Sequence, residues 1–146
     1  MVEQPAGAGR GDVSKLGVLL AEDDDFTRMM LQRLLEDLGL RAVLAAADGD
    51  EALKLLEERP QDVDVVICDL EMPGRGGLEL LLTMRALDDG RFAELPVIVL
   101  TAHREAEVVQ QAIVFGIAGY LVKPVSKQEL VHRLTLAAGL PGCGAP

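Results

Sequence analysis

A chain of 146 residues with 49% apolar side chains suits one globular domain with its own core and leaves little for a second. Its net charge of −10 excludes the basic surface that a nucleic-acid backbone requires, and fits a basic partner or a cation. With one Tyr, three Phe and no Trp, the core falls to Leu, Val, Ile and Ala.

Residues 1–15, "MVEQPAGAGRGDVSK", lack periodicity and read as a flexible lead, and residues 139–146, "GLPGCGAP", as a flexible tail. Neither is a phosphate loop, since no Gly-Lys-Ser/Thr follows a glycine run; the "RGD" is chance. No signal peptide and no apolar stretch of about 18 residues is visible, so a reducing cytoplasm is the expected setting. The two cysteines are no disulfide framework: Cys68 reads as a small core residue and Cys143 as an exposed thiol.

Between these ends, apolar runs alternate with helical patterns. Gly17–Ala21 is a strand running into Glu22, Asp23, Asp24 and Asp25, the last two serving as turn and cap. A helix follows over Phe26–Leu38, where Phe26, Met29, Met30, Leu34 and Leu38 recur at helical spacing and Gly39 is the stop. Strand Ala42–Ala46 leads through the Asp48 N-cap to helix Gly49–Arg59. Strand Val65–Cys68 ends at Asp69. Helix Leu78–Leu87 points Leu80, Leu81, Met84 and Leu87 to the core; Leu82 points elsewhere, most simply a scattered exposed leucine, otherwise a small partner or dimer contact. Strand Val97–Leu100 ends at Thr101 and Ala102, and helix Glu105–Phe115 follows. Strand Gly119–Val122 ends at Lys123 and Pro124, before a helix over Lys127–Ala137 that opens on a capping box of Ser126 and Glu129. The runs are continuous rather than alternating, so each strand is buried on both faces. Five strand–helix repeats predict an α/β domain over 16–138, a parallel sheet with helices on both sides.

Ligands of such sheets bind beyond the carboxyl ends of the strands. If strands one, three, four and five are neighbours, carboxylates, a hydroxyl and an ammonium meet at one edge. Two like charges about 4 Å apart repel by about 4 kcal/mol at an effective dielectric near 20, and a divalent cation removes the conflict. All-oxygen donors with room for water favour Mg²⁺. Metal, aspartate nucleophile, hydroxyl and lysine are the parts of a phosphoryl-transfer site. Taken singly, each residue has a plainer reading: Glu22 and Asp23 as a solvated turn, Thr101 as a helix cap, Lys123 as a surface lysine, Tyr120 as packing, His103 and His132 as exposed polar residues. No His/Cys spacing suggests zinc.

Together, Glu22–Asp23, Asp69 with "MP" after it, "TA" at 101–102 and "KP" at 123–124 resemble the receiver domain of bacterial response regulators, of the single-domain chemotaxis type. The resemblance implies a flavodoxin-like, doubly wound sheet of order 2-1-3-4-5 with five helices. It implies that Asp69 accepts a phosphoryl group from a histidine kinase or histidine phosphotransfer protein. It places Mg²⁺, with Mn²⁺ as substitute, among Glu22, Asp23, Asp69 and the backbone carbonyl of Glu71. Thr101 and Lys123 would read the phosphoryl group, Tyr120 would swing with it, and the Lys123–Pro124 bond would be cis. An output protein would bind the surface of the fourth helix, fifth strand and fifth helix. The chain would be a phosphoacceptor with slow self-phosphorylation and self-dephosphorylation rather than an enzyme, standing alone or cut from a longer protein. Gly76 stands where the family often has Asp, which should loosen that loop. "RALDDGRFAELP" is longer than the family's commonest spacing, while Glu71 and His103 occupy positions that tune phosphoryl lifetime. Two rivals are a Mg²⁺-dependent aspartyl-phosphate phosphatase and a receiver-like scaffold that is never phosphorylated.

Overall fold

Apolar runs such as Val65–Cys68 are satisfied only where both faces of a strand are covered. The computed structural model of the chain does this with one five-stranded parallel sheet between two layers of helices. It describes residues 12–72, 74, 76–87, 90, 92–102, 107–114 and 116–139. The lead up to residue 11, the tail from 140 with Cys143, His103 and positions 105, 106 and 115 of the fourth expected helix lie outside these residues.

The elements are β1 (Gly17–Ala21), α1 (Asp25–Asp37), β2 (Ala42–Ala46), α2 (Gly49–Glu58), β3 (Val65–Asp69), α3 (Gly77–Ala86), β4 (Val97–Thr101), α4 (Glu107–Val114), β5 (Gly119–Val122) and α5 (Lys127–Ala137). The strand order is β2-β1-β3-β4-β5, the flavodoxin-like winding. Strands β3 and β4 run one residue further than their apolar runs. Asp69 pairs with Leu100, and Thr101 with Val122, in the ladder itself. Residues 13–15, counted with the lead on sequence alone, form a 3-10 turn capped by Asp12, and Val13 packs on the core.

The caps follow local chemistry. Asp24 accepts from Thr27 N–H at 2.9 Å, Asp48 from Glu51 N–H at 2.8 Å, and Ser126 from Glu129 N–H at 3.1 Å. Gly39, at φ 75°, ends the turn after α1. Gly17 is a steric necessity, since a Cβ there would stand 1.9 Å from the Asp62 carbonyl oxygen.

Helices α2, α3 and α4 cover one sheet face, where Leu56, Leu80, Leu81, Met84 and Ala112 meet Val66, Cys68, Val97 and Val99. Helices α1 and α5 cover the other, where Leu31, Leu35, Leu130 and Leu134 meet Val18, Leu20, Ile67, Ile98 and Leu100. Burial pushes the Cys68 thiol up to about 12, so it is a neutral core side chain. Leu82 is exposed. No helix among the described residues is long and apolar enough to cross a membrane.

Two findings depart from the sequence reading. On α1 the core face is Leu31 and Leu35, both buried, whereas Phe26, Met29 and Met30 are 71%, 67% and 50% exposed. The apolar stripe picked out by spacing therefore lies largely on solvent. Second, Arg85 at the end of α3 is a structural clamp. Its Nη1 donates to the carbonyls of Phe92 at 2.9 Å and Leu95 at 3.0 Å, and its Nη2 to Gly116 at 3.2 Å. The long connection to β4 is thereby tied to the turn before β5. Arg85→Ala leaves three carbonyls short of a charged donor and should lower stability by about 1–3 kcal/mol, read by urea unfolding.

Candidate functional site

The topology reverses beside β1, which places the carboxyl ends of β1, β3, β4 and β5 around one crevice. The segment after β1 presents Glu22 and Asp23, and β3 presents Asp69 from its last position. Oxygens of Glu22, Asp23 and Asp69 lie within 4.8 Å of one another. Glu22 and Asp69 are buried and Asp23 is half-buried.

Lys123, just beyond β5, reaches into this cluster. Its Nζ donates to Asp69 Oδ2 at 2.8 Å and lies 2.7 Å from Glu22 Oε1. The second contact is an ion pair off the line of an aligned hydrogen bond, so Glu22 Oε1 is fully buried without an aligned donor among the described residues. The other Glu22 oxygen accepts from Asp24 N–H at 3.0 Å. Asp69 Oδ1 accepts from Glu71 N–H at 2.9 Å, while the Glu71 side chain is exposed.

The electrostatics follow from the count. Burial pushes the Glu22 carboxyl up. The Lys123 ammonium and Asp24 N–H oppose this, and the Asp69 carboxylate adds to it. Burial works against the Lys123 ammonium, but the Asp69 and Glu22 carboxylates outweigh it and hold its pKa above the ordinary lysine value. One ammonium among three carboxylates stays charged and leaves the carboxylates undercompensated.

The remaining expected residues lie on or just after β4 and β5. Thr101 is buried at the end of β4, and its carbonyl accepts from Lys123 N–H at 2.8 Å. Tyr120 pairs with Val99, is half-buried against the α2–α4 side of the sheet, and has the Arg133 guanidinium 6.0 Å from its ring centre. The Lys123–Pro124 bond is cis.

The loop from Asp69 to α3 depends on glycine. A Cβ on Gly77 would meet the Asp69 carbonyl oxygen at 2.4 Å, and one on Gly76 would meet Leu70 O at 3.0 Å. Gly76 gives α3 no side-chain cap, and its lack of a Cβ allows its close approach to Leu70 O. Sequence reasoning missed Arg28. Its Nη1 donates to the carbonyls of Glu22 at 2.9 Å and Asp23 at 3.4 Å.

Beside the crevice runs an apolar groove of about 730 Å³ along α1, lined by Phe26, Met29, Met30, Leu34 and Val125. An adjoining pocket of about 390 Å³ carries it past Met30 to Lys123 and Pro124.

The donor set fits a hard divalent cation. It offers only oxygen, it holds more negative than positive charge, and one of its oxygens is buried without an aligned donor. Three protein carboxylates leave the rest of an octahedral Mg²⁺ shell to water and other oxygens.

The sequence matches the response regulator receiver domain over residues 18–135. It is 36% identical over 117 residues to the chemotaxis protein CheY-3 of Vibrio cholerae, covering 80% of this chain and 87% of that protein. The fold superposes on V. cholerae CheY4 with a TM-score of 0.76 at 31% identity, covering 84% of this chain and 98% of that one. It superposes on a chain of the CheX–CheY–BeF3–Mg²⁺ complex from Borrelia burgdorferi with a TM-score of 0.72 at 25% identity, covering 82% and 87%. With its sheet order and acidic crevice, the chain belongs to the response regulator receiver domains of two-component signalling.

Proposed function

We propose that Asp69 is the phosphoacceptor of this receiver, taking its phosphoryl group from a histidine kinase or a histidine phosphotransfer protein. The observation that carries this is the way Asp69 is held: Lys123 grips one oxygen and the Glu71 N–H the other, with two more carboxylates beside them. This arrangement fixes the nucleophile without neutralising its surroundings.

In the reaction an Asp69 oxygen attacks phosphorus, the P–N bond to the donor imidazole breaks, and that nitrogen keeps the electron pair. The product is an acyl phosphate on Asp69 and a donor imidazole that takes up a proton from solvent. Glu22, Asp23, Asp69 and the Glu71 carbonyl would hold Mg²⁺, or Mn²⁺ in its place. When bound, the ion supplies charge to screen the carboxylate and phosphoryl oxygens from one another. Lys123 exchanges a carboxylate contact for a phosphoryl oxygen, and the Thr101 hydroxyl donates to another. Tyr120 follows Thr101 inward, because both lie on the α2–α4 side of the sheet. The surface of α4, β5 and α5, where Ile113 and Val114 are exposed, is then populated in the form an output protein reads. The compartment this implies is the cytoplasm.

The donor docks on the groove along α1. A protein that brings a phosphohistidine to Asp69 must cover the rim of the crevice, and the exposed Phe26, Met29 and Met30 are the apolar part of that rim. The phosphatase rival needs an acid–base group two residues past the nucleophile, and Glu71 turns its side chain to solvent there. The scaffold rival has no use for a buried, undercompensated acidic set. On this reading the chain is a phosphoacceptor and not a turnover enzyme.

Acetyl phosphate with Mg²⁺ should add the mass of one phosphoryl group to the wild type and none to Asp69→Asn; an unmodified wild type that also ignores beryllofluoride would favour the scaffold. Lys123→Met should slow the adduct by roughly a hundredfold. Asp23→Asn relieves repulsion in the metal-free protein, so its melting temperature should rise above the wild type's, while Mg²⁺ should stabilise the wild type and not the variant. Met30→Asp should slow transfer from a phosphohistidine donor and leave the acetyl phosphate rate unchanged.

A further inference from the structure

We propose that Arg28 is a positioning residue for cation binding, fixing the peptide groups of Glu22 and Asp23 so that both carboxylates face one ion. The proposal rests on the reading that the acidic crevice takes Mg²⁺.

Residues 22–24 join β1 to α1 without regular structure, so their side chains point only as well as their backbone is held. Most of the segment has local anchors. Glu22 N–H donates to Ala46 O at 3.0 Å, Asp24 N–H to Glu22 Oε2 at 3.0 Å, and the Asp24 carboxylate accepts from Thr27 N–H. The Asp24 N–H belongs to the Asp23–Asp24 peptide, so that group has its own anchor; none of these contacts is made by the peptide between Glu22 and Asp23. Among the described residues, Arg28 is the one side chain that reaches the peptide between Glu22 and Asp23, through Glu22 O at 2.9 Å, and the same nitrogen spans to Asp23 O at 3.4 Å.

Arg28 is itself well placed to act as an anchor. It lies in the first turn of α1, with its own N–H on Asp24 O at 2.8 Å. Its side chain is only 20% exposed, whereas that of Asp25, which pairs with Nη2, is 84% exposed. The exposed ion pair contributes little, so the sheltered carbonyl contacts are the ones that matter. A planar guanidinium suits this task, since it offers several donors in a fixed fork and keeps its charge.

The sign of the electrostatics makes the inference sharp. A positive charge beside a cation site repels the ion, so by charge alone removing Arg28 tightens Mg²⁺ binding. By position, removing it frees the peptide between Glu22 and Asp23 and weakens binding. Outer contacts that orient ligands typically matter by 10-fold or more in affinity, and the two carbonyl contacts put Arg28 in that class.

The test is calorimetric titration of Mg²⁺ into the full chain, with circular dichroism and melting of each metal-free variant alongside. Arg28→Met, which keeps the stem and loses charge and donors, should bind roughly tenfold more weakly than wild type. Arg28→Lys keeps the charge but lacks the fork, and should also bind more weakly. Asp25→Asn, which leaves the carbonyl contacts in place, should bind like wild type. Equal or tighter binding by Arg28→Met in a folded protein overturns the proposal. Should Arg28→Met fail to fold, Arg28→Lys decides, and wild-type affinity there overturns it equally. If the wild type itself takes no Mg²⁺, the cation reading of the crevice has failed; if the wild type binds and both Arg28 variants match it, only the role of Arg28 has failed.

Discussion

Three carboxylates and one ammonium at the end of a parallel sheet set the terms for the rest of this molecule. Burial of Glu22 and Asp69 strengthens every charge interaction among them, attractive and repulsive alike. Lys123 meets two carboxylates at once and is the more firmly charged for it. Glu22 meets one ammonium, one neighbouring carboxylate and no solvent, and its carboxyl is pushed up. The two shifts are consistent once the charges are counted, because a single cation among several anions is stabilised more than any one of the anions. Such a site stores unfavourable energy that the fold must offset elsewhere, and the apolar layers on the two faces of the sheet do so. A fully buried leucine contributes about 1.5–3 kcal/mol, and Leu19, Leu20, Leu35, Leu56, Leu80 and Leu81 are all in that position.

Strand positions and the site were legible in the sequence for one shared reason. A strand buried on both faces must be a continuous apolar run, so its end is marked by the first polar residue. In this fold that first polar residue stands at the strand end beside the acidic crevice, as Asp69 and Thr101 do. Both proved to be ladder residues rather than loop residues, because backbone pairing with β4 and β5 continues one step after the apolar run stops. The caps at Asp48 and Ser126 were legible because they depend only on neighbours three residues away, whereas the first helix starts one residue early, with Asp24 as its cap and Asp25 already helical.

What escaped the sequence did so for physical reasons as well. Helical periodicity reports that apolar residues share a face; it does not report whether that face meets the core or a partner. On α1 the residues Phe26, Met29 and Met30 have the spacing of a core stripe, yet the core takes the neighbouring stripe of Leu31 and Leu35. The error is informative, since it isolates an apolar surface beside the crevice. The clamping contacts of Arg28 and Arg85 escaped because their acceptors are main-chain carbonyls. Any residue type supplies a carbonyl, so no sequence pattern marks it, and only the folded path of the chain brings Gly116 to Arg85 or Asp23 to Arg28.

Parity along the strands then suggests how an event at Asp69 would be felt at a distance. Asp69 follows Val65 and Ile67, whose side chains face α1 and α5; Thr101 follows Val97 and Val99, which face α2, α3 and α4. The proposed donor groove on α1 and the α4 part of the proposed output surface are therefore on opposite sides of the sheet. The backbone between them is an unbroken ladder, with Lys123 N–H on Thr101 O extending it past the last strand residue. A rigid ladder leaves side-chain rearrangement as the cheaper way to pass a change across the sheet. Thr101 at the crevice and Tyr120 one strand over are the side chains so placed, the half-buried Tyr120 ring lying 6.0 Å from the Arg133 guanidinium.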